Sequence, residues 1–251
     1  MIYIATNVNH SYFQSKHADW IRSVVKYKNP NEQCMMFSMG FDAMIDNVIT
    51  VPIELNEIQN SKHPNIKNRK EFVCLESGEF INFYNFKDDD IVILCDWDVT
   101  MQKSLDLNEL DIINTLGNTV GMNRDHYPVN YLYNNTLNYL GIGNIFNDID
   151  QNWIVYNTGV QTATVSTWRT IYNYWKELAP IMFEKCTHHA AGQALFNYII
   201  QKYNIVMEMP LTYHNADWFT GTPSRVINNQ LFVNDKLVTF NHHKWRFRPT
   251  F

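Results

Sequence analysis

The run Ile91-Val92-Ile93-Leu94-Cys95 constrains the fold more than any other stretch of the chain. Five consecutive apolar residues are expected of a central strand covered on both faces, which calls for a layer packed on each side of its sheet. Asp96-Trp97-Asp98 follows at once, so two carboxylates stand just past the strand's C-terminal end. In open α/β sheets ligands sit outside the carboxyl ends of the strands. A pair of carboxylates there makes a hard oxygen site suited to magnesium or manganese, and the cation in turn would bind a diphosphate. The plainer alternative is an Asx turn that closes the strand with both acids in water.

The rest of the chain supplies the layers. A strand is predicted over 2–5, then a polar loop from Thr6 to His10. A helix follows with Phe13, His17, Trp20, Ile21, Val24 and Val25 on one face. Asn29-Pro30-Asn31 breaks it, and strands are expected over 34–37 and 48–53. This strand–helix–strand opening is the signature of a parallel sheet with right-handed crossovers. Further on, the pattern predicts a polar loop over 56–68 and helices over 71–84 and 105–116. It also predicts a strand over 118–122 and a long loop over 134–150. Residues 153–156 read as a strand ending in Asn157-Thr158-Gly159-Val160. A helix that turns Val165, Trp168, Tyr172, Trp175 and Leu178 inward comes next, then a second helix near 190–203. Short strand-like pieces run from Trp218 to the end. With 251 residues, one α/β domain built on a mostly parallel sheet flanked by helices accounts for the whole chain.

Charge and cysteine usage narrow the partners. A formal charge of −5 gives no basic face for nucleic acid. The local basic cluster Lys244, Arg246 and Arg248 suits a small phosphorylated ligand instead. Cys34, Cys74, Cys95 and Cys186 lie far apart with no CxxC pairing, as expected of free thiols in a reducing compartment. No segment approaches the roughly 18 apolar residues of a membrane span, and the start of the chain has no signal-peptide pattern. A cytoplasmic location without a membrane span is therefore expected.

Residues 91–100 also fit a second chemistry. An apolar strand followed by Asp-x-Asp-x-Thr is the pattern of haloacid-dehalogenase phosphatases, with Asp96 as nucleophile, Asp98 as general acid/base and magnesium as cofactor. That motif usually lies near the start of its domain and needs a later lysine and a later pair of acids at a strand end. The nearest acidic pair downstream, Asp148 and Asp150, has no clear strand before it. A third class, a nucleotide-sugar-binding module without turnover, stays open.

The series of motifs taken in order resembles the GT-A (Rossmann-like) glycosyltransferases, in particular the glycogenin-like and bacterial lipooligosaccharide galactosyltransferase family. The likeness runs from Met1 to about Trp245. The resemblance implies that Thr6 and Asn7 hold the nucleoside, that Arg69 lies near the donor, and that Asp96 and Asp98 bind the metal. It implies that Asn157, in Asn157-Thr158-Gly159-Val160, faces the sugar or acceptor, with the glycine allowing close backbone approach. The Trp168-Arg169 pair is also familiar. Gln193 stands where the family carries Asp-Gln, but the aspartate is replaced by Gly192, and His188 or His189 is a candidate substitute. The family's C-terminal signature is contracted here to His242-His243-Lys244-Trp245. Either His242 or His243 is then the third metal ligand, with Lys244 on the phosphate. The implied function is metal-dependent transfer of a sugar from a nucleotide-sugar, UDP-linked by resemblance, to a glycan or other hydroxyl acceptor. Mn2+ or Mg2+ is the implied cofactor and retention the implied outcome. Residues 1–100 would form the nucleotide-binding half, and 101–251 the acceptor half and tail.

Overall fold

Strand β1 (Ile2–Asn9) carries two parallel neighbours, β2 (Glu32–Met39) on one side and β4 (Ile91–Cys95) on the other. The computed structural model describes residues 1–54, 77–125, 149–150, 152–185, 191–216 and 224–243. Beyond β2 lies β3 (Ile49–Ile53), again parallel. On the far side of β4 the sheet continues through β7 (Val160–Thr164), β6 (Val120–Met122) and β8 (Val206–Glu208). The order is β3-β2-β1-β4-β7-β6-β8, seven strands of which β7 alone runs against its neighbours. The expected mostly parallel α/β sheet is what the chain forms.

Strand β4 is central, and its side chains divide between two layers as its composition requires. Val92 and Leu94 join a cluster with Trp168, Trp175, Leu195, Phe196 and Ile199, carried by helices α3 (Val165–Lys185) and α4 (Ala191–Lys202). Ile91, Ile93 and Cys95 face the opposite cluster, with Trp20, Val24, Ile113 and Leu116. Those belong to or adjoin α1 (His10–Tyr27) and α2 (Leu107–Thr115). Asp106 and Glu109 form a reciprocal capping box at the start of α2, which satisfies two orphan amide donors there.

Three expectations are corrected, and one strand is added. Thr6 to Asn9 belong to β1, not to a loop. Their polar side chains are tolerated because the backbone pairs with β2 on one side and, at Thr6, with β4 on the other. The strand near the Asn157 motif follows it, at β7, and the stretch before it contributes only an isolated bridge from Tyr156 to Arg124. The polar composition of β7 hides a buried strand, in which Thr162 Oγ1 meets the Tyr213 hydroxyl at 2.7 Å. Of the helix expected over 71–84, the described part holds a single 3-10 turn, Glu79–Asn82. Gly78 precedes it with φ 104°, and a Cβ there would come within 3.0 Å of the Trp168 carbonyl oxygen. Finally, Val99 to Met101 form a strand, β5, with no counterpart in the sequence reading. The loops expected over 56–68 and most of 134–150 lie outside the described residues.

Strand β5 pairs antiparallel with β13 (Phe240–His242), which pairs parallel with β9 (His214–Ala216). The small sheet β5-β13-β9 thus brings the tail of the chain back to the end of β4. A hairpin sheet of β10 (Ser224–Ile227), β11 (Gln230–Val233) and β12 (Lys236–Leu237) completes the described residues. Among them, no helix is long and apolar enough to cross a membrane.

Candidate metal centre and active site

The turn after β4 is fixed by its backbone. The Asp96 amide donates to the Gly159 carbonyl at 2.8 Å, and the Val99 amide to the Asp96 carbonyl at 3.2 Å. The chain then enters β5, whose register sets Val99 opposite His242. The pairing delivers the His242 imidazole beside the aspartates: Nε2 is 3.2 Å from Asp98 Oδ1 and 4.0 Å from Asp96 Oδ2. One ligand atom from each of Asp96, Asp98 and His242 lies within 4.8 Å of the other two. Two carboxylate oxygens and an imidazole nitrogen converging so closely are a fitting donor set for a divalent cation. Burial pushes the His242 pKa down, but Asp98, then Asp96 and Asp125, more than offset it, and the net shift is upward.

His243 takes a different place. Its Nε2 meets Thr100 Oγ1 at 2.5 Å, and its amide donates to the Asp98 carbonyl at 3.0 Å. His243 is the first residue past β13 and its ring is held at Thr100, so of the two histidines it is His242 that joins the aspartates.

Gly159 has a specific reason to be glycine. A Cβ built on it would lie 2.5 Å from Nδ1 and 2.6 Å from Cε1 of His242, far inside van der Waals contact. The close approach is to an imidazole. Gly159→Ala is expected to push His242 off the aspartates and weaken Mn2+ binding by about tenfold, roughly 1.4 kcal/mol. Isothermal titration with Mn2+ measures it, and unchanged affinity in a folded Gly159→Ala protein would contradict this account.

A second polar group lies beside the first. Strands β4 and β6 both run against β7, so their C-terminal ends share one edge of the sheet. Just past β6, the Asp125 carboxylate accepts from Gln193 Nε2 at 2.9 Å and from Asn157 Nδ2 at 3.1 Å, both on Oδ2. Asn157 also accepts the Gly159 amide on Oδ1 at 2.8 Å. The fully buried Asn197 holds this arrangement, because its side chain bonds both the amide and the carbonyl of Tyr156 and the Gln193 carbonyl. Sequence reasoning missed Asp125. The signal was present: an acid three residues past a strand predicted over 118–122, the same spacing as Asp98 past β4.

The remaining candidates divide. Thr6 is fully buried and its hydroxyl donates to the Cys95 carbonyl at 2.9 Å, tying β1 to the end of β4. Asn7 is buried as well, and its side-chain oxygen has no hydrogen-bond partner among the described residues. Asp150 caps a turn through the Asn152 amide. Trp168 is core, with its indole N–H on the Val92 carbonyl, and Arg169 pairs with Asp88 at the surface. Arg69, His188, His189, Asp148 and the cluster Lys244, Arg246 and Arg248 lie outside the described residues, as do Cys74 and Cys186. Cys34 and Cys95 are buried free thiols.

No protein-family model matches the sequence, and no curated protein matches it in sequence. Solved structures do match the fold, which is that of the GT-A glycosyltransferases. Mouse xyloside xylosyltransferase 1, in its apo form, superposes with a TM-score of 0.63 at 12% identity, covering 100% of both chains. An active-site mutant of LgtC gives 0.63 at 14% identity over 96% of this chain and 86% of that one. The galactosyltransferase LgtC in complex with donor and acceptor sugar analogs gives 0.60 at 13% identity, with the same coverage.

Proposed function

We propose that the chain is a metal-dependent glycosyltransferase that moves a sugar from a UDP-linked donor to a hydroxyl acceptor with retention of anomeric configuration. The observation that carries this reading is the convergence of Asp96, Asp98 and His242 beside the Asp125–Asn157–Gln193 group, at the C-terminal edge of a GT-A sheet. In the proposal, Asp96, Asp98 and His242 hold the cation. A mixed oxygen and imidazole set favours manganese over magnesium. When bound, the cation supplies Lewis-acid stabilisation of the charge that grows on the departing diphosphate. The names of the similar structures support sugar transfer, and one of them is described with donor and acceptor sugar analogs.

The other roles follow from placement. The orphaned side-chain oxygen of Asn7 at the end of β1 suits an N–H of the donor base, since a buried acceptor left unpaired costs about 1–3 kcal/mol. Thr6 acts through the backbone that it anchors. Arg69 and Lys244 would add positive charge at the phosphates. Residues 1–100 form the nucleotide-binding half and 101–251 the acceptor half of this scheme, in a cytoplasmic protein. Gln193 and Asn157 present amides, which cannot accept a proton near neutral pH. Asp125, engaged by both, supplies negative charge that opposes the positive charge developing on the sugar. Asp125 brings a carboxylate to Gln193 in this scheme, and His188 or His189 stays a candidate substitute for the missing aspartate.

Incubation with a panel of nucleotide-sugars and Mn2+, scored for free nucleotide, tests the reading, with an aryl phosphate in parallel. Slow release of UDP with no aryl-phosphate turnover is expected, and proton NMR of the first glycosylated product from an α-linked donor should show an α-linkage. Robust aryl-phosphate hydrolysis abolished by Asp96→Asn would move the assignment to the phosphatase. Donor binding without nucleotide release would leave a binding module, and a β-linked product would refute retention.

A further inference from the structure

The His242 imidazole is enclosed by two neighbours from different parts of the chain. The Gly159 backbone approaches one side, near enough that a Cβ would strike Nδ1 and Cε1. The His214 ring is stacked on His242 with centroids 5.5 Å apart and planes 28° apart. The two histidines come from parallel neighbours β9 and β13, in a register that pairs His214 with Phe240 and Ala216 with His242. Residues two apart on a strand share a face, so His214 and His242 lie diagonally on the same side, at the spacing where planar rings make offset contact. His214 is fully buried, so its rotamer is held by packing on every side.

We propose that His214 is a positioning residue for the metal centre: with Gly159 it fixes the His242 ring in the plane that aims Nε2 at the gap between Asp96 and Asp98. The proposal rests on the reading that these three residues hold a divalent cation. A ligand imidazole free to rotate about χ2 must be ordered when the metal binds, whereas a ring already fixed avoids that cost. Neighbours that orient metal-bound histidines typically change affinity by 10–100-fold when they are removed. Here a planar face supplies the orientation.

The test is Mn2+ affinity of the purified protein, read from the free-ion EPR signal without any sugar donor. Variants are His214→Ala, His214→Leu and His214→Phe, each checked by circular dichroism. Removing the planar face in His214→Ala or His214→Leu is expected to weaken Mn2+ binding about tenfold, while His214→Phe, which keeps a ring against His242, stays within about threefold of the unaltered protein. In a His242→Ala background the same substitutions should have no further effect, because His214 acts through that ring. A folded His214→Leu or His214→Ala protein that binds Mn2+ as the unaltered chain does overturns the proposal. So does an equal loss from His214→Ala with and without His242. Should both fail to fold, His214→Phe decides, with a loss beyond tenfold refuting the stacking role. Absence of Mn2+ binding by the unaltered protein is a different result, and it removes the metal-centre reading itself.

Discussion

Asp98→Asn is expected to lower Mn2+-dependent nucleotide-sugar turnover about a thousandfold, roughly 4 kcal/mol of transition-state stabilisation, while the protein stays folded. Asp98 Oδ1 is the carboxylate oxygen nearest the His242 imidazole, at 3.2 Å. Asparagine keeps the size of the side chain and removes its charge, so a cation would face Asp96 alone among formal negative ligands. The structural part of Asp98 is its backbone: the carbonyl receives the His243 amide, and that contact survives the substitution. His242→Ala should give a loss in the same direction by removing the nitrogen ligand and leaving both carboxylates. The two losses should not add, since they remove parts of one unit. Turnover, Mn2+ titration and thermal melting of both variants measure the effect. Undiminished turnover by Asp98→Asn in the presence of EDTA would sink the metal-centre assignment.

The placement of Asp96 and Asp98 past a central strand was legible in the sequence because an apolar run immediately followed by acids is a local pattern with a local meaning. The layers around β4 were legible for the same reason, through the helical spacing of Trp20 and Val24 and of Trp168 and Trp175. What the sequence hid was pairing. Nothing in Val99-Thr100-Met101 marks it as a strand until Phe240 to His242 lie beside it, and that pairing is what separates His242 from His243. Strand β7 was obscured because its buried Thr162 and Gln161 read as polar until the Tyr213 hydroxyl lies against the one and the Thr158 carbonyl accepts from the amide of the other. Polar residues in β1 misled likewise: Thr6 reads as loop, yet its hydroxyl is satisfied by the last carbonyl of β4. Asp125 was overlooked for a geometrical reason. Only the antiparallel placement of β7 between β4 and β6 reveals that the ends of β4 and β6 share an edge.

Asp125→Asn carries the second large expected effect, a fall of about 10²–10³-fold in sugar transfer with Mn2+ affinity little changed. The Asp125 carboxylate accepts amides from both Gln193 and Asn157 on one oxygen. Hydrogen bonds to a charged partner are roughly twice as strong as neutral ones, so this carboxylate fixes both amides. An asparagine side chain can still turn its oxygen toward Gln193, so the geometry is largely kept and the change isolates charge. Removing one preorganised electrostatic partner of a transition state typically costs about 10²–10³ in kcat. Metal binding should be nearly spared because Asp125 is outside the candidate group of Asp96, Asp98 and His242. The outcome therefore separates the two halves of the site: Asp98→Asn should lower metal binding and turnover together, and Asp125→Asn should reduce kcat alone. Gln193→Glu is the complementary change, since it sets a second carboxylate against Asp125 and removes the amide donor that bonds it. Equal losses of Mn2+ affinity and turnover in Asp125→Asn would instead make Asp125 part of the metal centre.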